Sequence, residues 1–139
     1  MKKHTYNDGI NMYEIDPNYL EEGIHTAEKR NLDSIRVKRL AEDPNFKYEL
    51  DLSPLLNKTF IKKLIIDNSL KLPKIKNIDA IYSLQELKEL TLAVPINIDF
   101  IKLNQLEKLY LNNESYQNLN SLINLKQLYF SRYKKTNCS

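Results

Sequence analysis

The sequence is poor in the residues from which catalytic and metal sites are usually built. Its 139 residues include one cysteine, two histidines, two glycines and no tryptophan. His4, His25 and Cys138 do not have the spacing of metal ligands. With Gly9 and Gly23 alone, the chain cannot form a glycine-rich phosphate-binding loop. We therefore expect a protein that is not an enzyme and that uses no metal and no cofactor.

Two further absences concern location. A single cysteine allows no internal disulfide, which is compatible with a reducing compartment. Met1-Lys2-Lys3 resembles the start of a signal peptide, but polar residues from His4 onward interrupt any apolar segment. No apolar run approaches the length of a membrane span. These features predict a cytoplasmic protein without a membrane partner.

Leucine is plentiful, and its spacing reveals a repeat of 19 residues in the second half of the chain. The five apolar columns are Ile81/Phe100/Leu119, Leu84/Leu103/Leu122, Leu87/Leu106/Leu125, Leu90/Leu109/Leu128 and Leu92/Leu111/Phe130. Each row ends in an apolar-x-apolar triplet, which sends both apolar side chains to one face of a strand. The preceding steps of three residues indicate a tight helical return segment. One row cannot close a core, so the repeat predicts a stacked solenoid.

Several segments carry a family resemblance, namely Leu87-x-x-Leu90-x-Leu92, Leu106-x-x-Leu109-x-Leu111, Leu125-x-x-Leu128-x-Phe130 and, more weakly, Ile61-x-x-Leu64-x-Ile66. They resemble the strand-forming segment of leucine-rich-repeat proteins. The resemblance implies an α/β solenoid with a short parallel sheet on its concave side and a role as a binding scaffold. Three residues after the last strand leucine, the family usually has Asn or Cys; here the residues are Ser69, Pro95, Glu114 and Tyr133.

Residues 1–47 are predicted to form an N-terminal cap region of the single domain 1–139. Asp8-Gly9 indicates a turn ahead of a first strand over residues 10–15. Asp16-Pro17 is typical of a helix start, so a capping helix is expected over about residues 17–31, covering one end of the leucine ladder.

Residues 48–133 are assigned to the repeats and residues 134–139 to a tail. Alternating apolar residues near 35–37 and 48–52 leave two alternatives open, a β-hairpin or two parallel rungs. A rung at 50–52 beside a rung at 64–66 is the preferred interpretation. The longer interval before the next strand predicts a loop over residues 68–77.

On each rung, the residues that alternate with the leucines are expected to form the binding surface. Tyr110 and Tyr129 fall on adjacent rungs and have the composition of a binding hot spot. A stabilising aromatic pair between strands is the alternative explanation. The predicted partner-binding residues are Glu49, Asp51, Lys63, Ile65, Asp67, Glu89, Thr91, Lys108, Tyr110, Asn112, Tyr129 and Arg132.

The expected partner is another protein, and the chain is expected to be a monomer or a weak dimer. As a small scaffold with short, irregular leucine-rich repeats, the chain resembles certain bacterial immunity proteins, which occlude the active site of a cognate toxin. If that toxin were a nuclease with a basic active site, an acidic patch of Glu49, Asp51, Asp67 and Glu89 would fit it.

Charge leaves two other functions open. The net charge is +3, and it divides into nine basic and eleven acidic residues in 1–60 and twelve basic and seven acidic residues in 61–139. A nucleic-acid-associated protein could use six of the basic residues of the second half, namely Lys62, Lys63, Lys88, Lys108, Lys126 and Arg132. Because these residues are dispersed singly, we expect no nucleic-acid partner. An oligomeric structural protein that uses the C-terminal edge is the third candidate.

Overall fold

The computed structural model describes residues 2–40, 49–67, 74–94, 96–112 and 116–130. Its strands are, in chain order, β1 (His4–Asn7), β2 (Met12–Ile15), β3 (Ser34–Val37), β4 (Glu49–Asp51), β5 (Lys63–Ile66), β6 (Lys74–Lys76), β7 (Glu89–Leu92), β8 (Ile98–Asp99), β9 (Lys108–Leu111), β10 (Tyr116–Gln117) and β11 (Gln127–Phe130). The helical segments are α1 (Leu20–Lys29), α2 (Asp79–Tyr82) and the 3₁₀ turns Pro17–Tyr19, Ser53–Leu55, Phe100–Lys102 and Leu119–Ser121.

Seven strands form one main sheet in the order β1-β2-β3-β5-β7-β9-β11. β1 and β2 are an antiparallel hairpin, and the neighbours that follow are all parallel. β4 pairs with β6, and β8 pairs with β10, in two short parallel sheets. Within the described ranges no sheet closes into a barrel. The chain is therefore a mixed α/β protein with a mostly parallel sheet, which confirms the predicted fold class at this level.

The strand register confirms the last two leucine columns. Leu90 lies beside Leu109, and Leu109 lies beside Leu128. The same columns extend back through Leu64 to Ile35, which the repeat spacing did not reach. Because parallel strands in register place equivalent side chains on one face, these residues form a continuous apolar ladder. Its inner members are almost completely buried, and they form the core together with apolar residues of the return segments.

Core burial decreases toward β11. Leu109 is 1% exposed, whereas Leu128 in the same column is 39% exposed. Phe130 is 45% exposed, and every residue of β11 is exposed. β11 is an edge strand whose one described neighbour in the main sheet is β9. Its side chains are therefore covered on one side only and are more exposed than those of β9.

The N-terminal region differs from its prediction in two ways. The turn at Asp8-Gly9 joins two strands, and β1, the first of them, was not predicted. The expected helix over 17–31 is a 3₁₀ turn at Pro17–Tyr19 followed by α1, and the Asp16 carboxylate caps the turn by accepting from the Asn18 backbone N–H at 3.0 Å.

Helix α1 packs on the N-terminal end of the core with its buried residues Leu20, Gly23, Ile24 and Ala27. Because α1 connects two parallel strands, β2 and β3, it lies in the same layer as the later return segments. The prediction that the helix covers one end of the leucine ladder is therefore wrong, because the strand at that end of the main sheet is β1.

The predicted rung at 50–52 beside 64–66 is wrong. The strand in that position is β3, whose Ile35 and Val37 pair with Leu64 and Ile66. β4 is parallel, as predicted, but it pairs with β6 in a separate sheet. Both segments show the same alternation, so periodicity predicted two strands but not which of them would join the main sheet.

The predicted loop over 68–77 is also partly wrong. Lys74–Lys76 is strand β6, while residues 68–73 lie outside the described residues. The tail 134–139 and the four positions that depart from the family pattern lie outside them as well. Among the helices of the described ranges, none has both the length and the apolar character that crossing a membrane requires.

Candidate binding face

The main sheet has one face on the core and an opposite face, which we call the open face. The middle column of the open face consists of the residue that lies, in each strand, between the two apolar residues of the ladder. The register places in this column Glu14, Arg36, Ile65, Thr91, Tyr110 and Tyr129. Exposure rises along it, from 5% at Glu14 to 36% at Tyr110 and 57% at Tyr129. The two ends of the open face therefore differ in how much side chain they offer to a partner.

At the β2–β5 end, the open face is occupied by an ionic cluster. Arg36 Nη1 donates to Glu14 Oε2 at 3.0 Å, and Arg36 Nε donates to Asp67 Oδ2 at 2.9 Å. Arg36 Nη2 forms a further ion pair with Asp67, and the Asn7 amide donates to Glu14 at 3.2 Å. The carboxylate side chains are 7% and 11% exposed. This end is a largely desolvated network whose charges already have partners.

At the β9–β11 end, the open face carries the tyrosine pair, Tyr110 and Tyr129. The residues lie directly opposite each other on adjacent parallel strands. Their ring centroids are 6.5 Å apart, with an angle of 34° between the ring planes. Such a tilted pair lies within the range of favourable aromatic contact. The two rings stabilise each other and still leave a large part of their surface exposed.

Polar and apolar side chains surround the tyrosine pair. Lys108 is exposed and pairs in register with Glu89, which forms an ion pair with Lys63 at 3.8 Å. Thr91 and Ile65 continue the middle column and are half-buried. The structure therefore places a series of the predicted binding residues on the open face or at its edge, which are Lys63, Ile65, Asp67, Glu89, Thr91, Lys108, Tyr110, Asn112 and Tyr129.

Two of the predicted binding residues lie elsewhere. Glu49 and Asp51 belong to β4 in a separate sheet, where Glu49 lies 3.4 Å from Lys76 Nζ. Asp67 remains on the open face but is engaged by Arg36. The predicted acidic patch is therefore divided, since its members lie in two sheets. Arg132 lies outside the described residues.

Sequence reasoning did not assign Glu14 and Arg36 to this face. A signal was present, because Tyr13-Glu14-Ile15 and Ile35-Arg36-Val37 repeat the apolar-polar-apolar triplet of the later rungs. An ionic residue between two apolar ones in such a triplet lies on the open face.

A second column, on the short sheets, was not predicted at all. Asn77 Nδ2 donates to Asp51 Oδ1 at 2.7 Å, and Asn118 Nδ2 donates to Asp99 Oδ1 at 2.8 Å. The Asn77 amide, followed by the Ser53 backbone N–H, lowers the pKa of Asp51. The Asn118 amide, followed by the Ile101 backbone N–H, lowers the pKa of Asp99. These Asp–Asn pairs connect successive turns of the chain and are structural contacts.

The sequence signal for this column of Asp and Asn residues is only two residues long. Each of its members directly precedes an apolar residue at the start of a return segment, in the pairs Asp51-Leu52, Asn77-Ile78, Asp99-Phe100 and Asn118-Leu119. A polar residue with a short side chain at these positions can hydrogen-bond to the neighbouring turn.

The two histidines have different surroundings. His4 contacts the Tyr13 hydroxyl through Nδ1 and the Glu22 carboxylate through Nε2, the latter at 3.0 Å. His25 lines an open groove beside α1 that also contains Glu22 and Lys58. In the described part of the chain, no group of three His, Cys, Asp or Glu side chains could hold a metal ion.

Comparison with protein-family models, with curated proteins and with solved structures gave no significant match. The function must therefore be inferred from the open face itself.

Proposed function

We propose that this protein is a non-catalytic protein-binding module of the leucine-rich-repeat class, and that it binds its partner through the tyrosine pair on the open face. One observation carries the proposal. Tyr110 and Tyr129 are 36% and 57% exposed, and they lie side by side in the middle column of the open face, on the last two strands of the main sheet. Tyrosine is enriched among residues that dominate binding energy, because it offers a large rigid surface with a polar end.

Two features support the leucine-rich-repeat class. Successive parallel strands pair in chain order, and their apolar residues match in register across the 19-residue repeat. The strands β7, β9 and β11 are each preceded by a short helical segment on the return path. In such a fold the strand face opposite the core is available to a partner, and fold alone does not assign a function.

The charge distribution does not support the narrower expectation of an immunity protein against a basic nuclease toxin. That argument required four acidic residues on neighbouring rungs, and Glu49 and Asp51 lie in a different sheet. The proposal therefore remains with a protein partner, without assigning that partner to toxins.

The alternatives receive less support from the described residues. Lys63 and Lys126 of the basic set are in ion pairs with Glu89 and Glu107, at 3.8 and 3.5 Å, which reduces the charge available for nucleic acid. A structural oligomer would use the exposed edge strand β11, and a mass measurement in solution would detect it.

The test is a pull-down from native lysate with the wild-type protein and two variants. Tyr110→Ala/Tyr129→Ala removes the tyrosine pair. Tyr6→Ala is the matched control, because Tyr6 is also 36% exposed but lies opposite Tyr13, on the core side of the first strand pair. We expect one protein to be captured by the wild type and the control and lost with the double variant. Each tyrosine should contribute about 2 kcal/mol or more to binding.

The interpretation of the pull-down depends on the double variant being folded. We expect its free energy of unfolding to remain within about 1 kcal/mol of the wild type, because both side chains lie on the face opposite the core and are 36% and 57% exposed. Capture that is equal for all three forms would show that the tyrosine pair is not the binding site. If the double variant is unfolded while the other two forms are folded, the tyrosines are part of the core.

A further inference from the structure

We infer that two copies of this chain pair through strand β11, antiparallel and centred on Tyr129, and that this pairing joins their open faces into one surface. The inference goes beyond the proposed function, because it concerns the edge of the main sheet. One part of it, the use of the joined surface to bind a partner, rests on the proposed function. The dimer leaves the open face accessible, so it extends the binding module and does not replace it.

The stack of repeats ends in an apolar surface. The final repeat contributes the last member of each of the five apolar columns, and these residues are Leu119, Leu122, Leu125, Leu128 and Phe130. All five are more exposed than the residues before them in their columns, which are almost completely buried. The Tyr116 ring contacts both Phe100 in the core and Phe130 at the end, with centroid distances of 6.3 and 5.8 Å. A stacked-repeat protein normally covers such an end.

The backbone of β11 is also open on its outer side. The Gln127 N–H donates to the Glu107 carbonyl of β9 at 3.2 Å. Because the backbone groups of successive strand residues point alternately to the two sides, Tyr129 also faces β9, while Leu128 and Phe130 face the outer edge. No described strand pairs with that edge. The sequence Gln-Leu-Tyr-Phe has none of the charged residues or prolines that prevent pairing on many edge strands.

These backbone directions determine how two copies pair. In an antiparallel pair, two opposed residues exchange both hydrogen bonds when their backbone groups point to the shared edge. Leu128 of one copy and Phe130 of the second copy therefore form a hydrogen-bonded pair, which occurs twice across the twofold axis. Tyr129 then lies opposite Tyr129 of the second copy, in a non-hydrogen-bonded pair with Cα atoms about 4.5 Å apart. This register uses both outward-facing residues of β11.

The side chains match in this register. A twofold axis perpendicular to the sheet keeps the core sides of both copies on one face and their open sides on the other. On the core side, Leu128 packs beside Phe130 of the second copy and continues the apolar ladder. On the open side, Tyr110 and Tyr129 of both copies form a row of four tyrosines about 14 Å long. Cross-strand aromatic pairs stabilise a sheet, so the row also strengthens the dimer.

A second copy fits this edge better than other parts of the chain do. At the opposite end of the main sheet, β1 reads His-Thr-Tyr-Asn, so a head-to-tail contact would set an apolar strand against a largely polar one. The residues that follow β11 in the sequence include Arg132, Lys134 and Lys135, and charged residues are costly on an apolar surface. Lys126, which precedes β11, is already paired with Glu107 at 3.5 Å. A contact of the apolar end with itself is matched and closed.

The area of the contact indicates its strength. Leu128, Tyr129 and Phe130 are 39%, 57% and 45% exposed. At about 200 Å² for a large side chain, they supply about 300 Å² from each copy and about 600 Å² for the pair. Stable protein interfaces bury about 1,200–2,000 Å². The dimer is therefore weak and forms at high protein concentration.

Sedimentation velocity of the full chain at about 5 to 500 μM tests the dimer. The wild type is compared with Tyr129→Lys and with the matched control Tyr110→Lys. Tyr129→Lys places two like charges directly opposite each other across the twofold axis. Tyr110→Lys places them about 14 Å apart, beyond the Debye length of about 10 Å at 0.1 M salt. Both sites are exposed on the open face, and circular dichroism verifies that both variants are folded.

We expect the wild type to change from monomer to dimer over this range. Dimerisation should weaken by about tenfold or more in Tyr129→Lys and by less than about threefold in Tyr110→Lys. A wild type that is monomeric at every concentration would overturn the inference, and so would an equal loss in the two variants. Growth beyond a dimer would also overturn it, because a contact that does not close produces an open assembly.

A cysteine cross-link tests the register separately. In a Cys138→Ser background, Tyr129→Cys should form a disulfide-linked dimer on mild oxidation with oxidised glutathione. The reason is that a Cα separation of about 4.5 Å lies within the range that a disulfide spans. Tyr110→Cys is the matched control and should remain monomeric under the same conditions. Cross-linking that is no faster for Tyr129→Cys than for Tyr110→Cys would contradict the register.

The failures of this inference and of the proposed function are distinguishable. If the chain is monomeric but still captures a partner through the tyrosine pair, the dimer is wrong and the binding face remains. If the chain dimerises through β11 but captures a partner equally well without the tyrosine pair, the proposed function is wrong and the dimer remains.

Discussion

Gly23 on helix α1 offers a sharp test of how the N-terminal end of the core is packed. A Cβ at this position would lie 2.5, 2.7 and 2.8 Å from Ile15 Cγ2, Cγ1 and Cδ1. Carbon atoms in favourable contact are about 3.5–4.0 Å apart. Ile15 is fully buried on β2, so other core residues surround its side chain. The helix therefore approaches the sheet closely because residue 23 has no side chain.

Two opposing terms determine the effect of Gly23→Ala. Helix propensity alone would stabilise the protein by about 1 kcal/mol. Overpacking against a buried side chain costs about 1–3 kcal/mol. Because three atoms of Ile15 are too close, we expect the second term to win and Gly23→Ala to lower the free energy of unfolding by about 1 kcal/mol. Urea unfolding followed by circular dichroism would measure the shift of the midpoint.

A double-mutant cycle identifies the cause of that loss. Ile15→Val keeps Cγ1 and Cγ2, so Gly23→Ala should remain destabilising in that background. Ile15→Ala removes all three close atoms at a cost of about 2–5 kcal/mol, and Gly23→Ala should then become stabilising. His25→Ala, at an exposed site of the same helix, should stabilise slightly. Stabilisation by Gly23→Ala in the wild-type background would refute the close approach of α1 to β2.

Three other perturbations test separate parts of the structure. Leu109→Ala should cost about 2–5 kcal/mol of stability through the cavity it leaves, whereas Leu128→Ala in the same column should cost less than half as much because that side chain is 39% exposed; parallel urea titrations would compare them. Arg36→Ala should destabilise by about 3 kcal/mol at neutral pH, because it leaves two largely buried carboxylates without their cation; a similar stability to wild type would show that the ionic cluster is dispensable. Asn77→Gly keeps the left-handed backbone and removes the amide, so the pKa of Asp51 should rise toward its ordinary value, as measured by NMR titration.

The sign of the pH effect on Asp51 follows from the direction of its shift. A carboxyl whose pKa is lowered on folding stabilises the folded state above its unfolded pKa. That contribution is lost as the pH falls through the folded pKa. In Asn77→Gly this contribution should be smaller and its loss should be complete at a higher pH than in the wild type. An unchanged titration would show that the Asn77 amide does not control this carboxyl.

The repeat made the second half of the main sheet predictable. Leu90, Leu109 and Leu128 recur at a constant step, and side chains at equivalent positions of stacked rungs must meet in register. The tyrosine pair was predictable for the same reason, since Tyr110 and Tyr129 follow those leucines by one residue.

The first half was less predictable because its spacing is irregular. Residues 35–37 and 50–52 have the same alternation, so the pattern could not decide which one pairs with β5. That choice depends on tertiary packing, which periodicity does not report. The pairing of β3 with β5 also determines the composition of the candidate site, because it places Arg36 on the open face and leaves Asp51 in a different sheet.

The left-handed turns of this chain have a consequence for the unfolded state. In the described residues, every positive φ angle belongs to an asparagine, at positions 11, 31, 57, 77 and 118, and neither glycine adopts one. Glycine in those turns would give the unfolded chain more conformations to lose on folding. Asparagine tolerates the left-handed region and restricts the unfolded chain at the same time. The protein thus forms these turns at a lower cost in chain entropy than the same turns built from glycine would require.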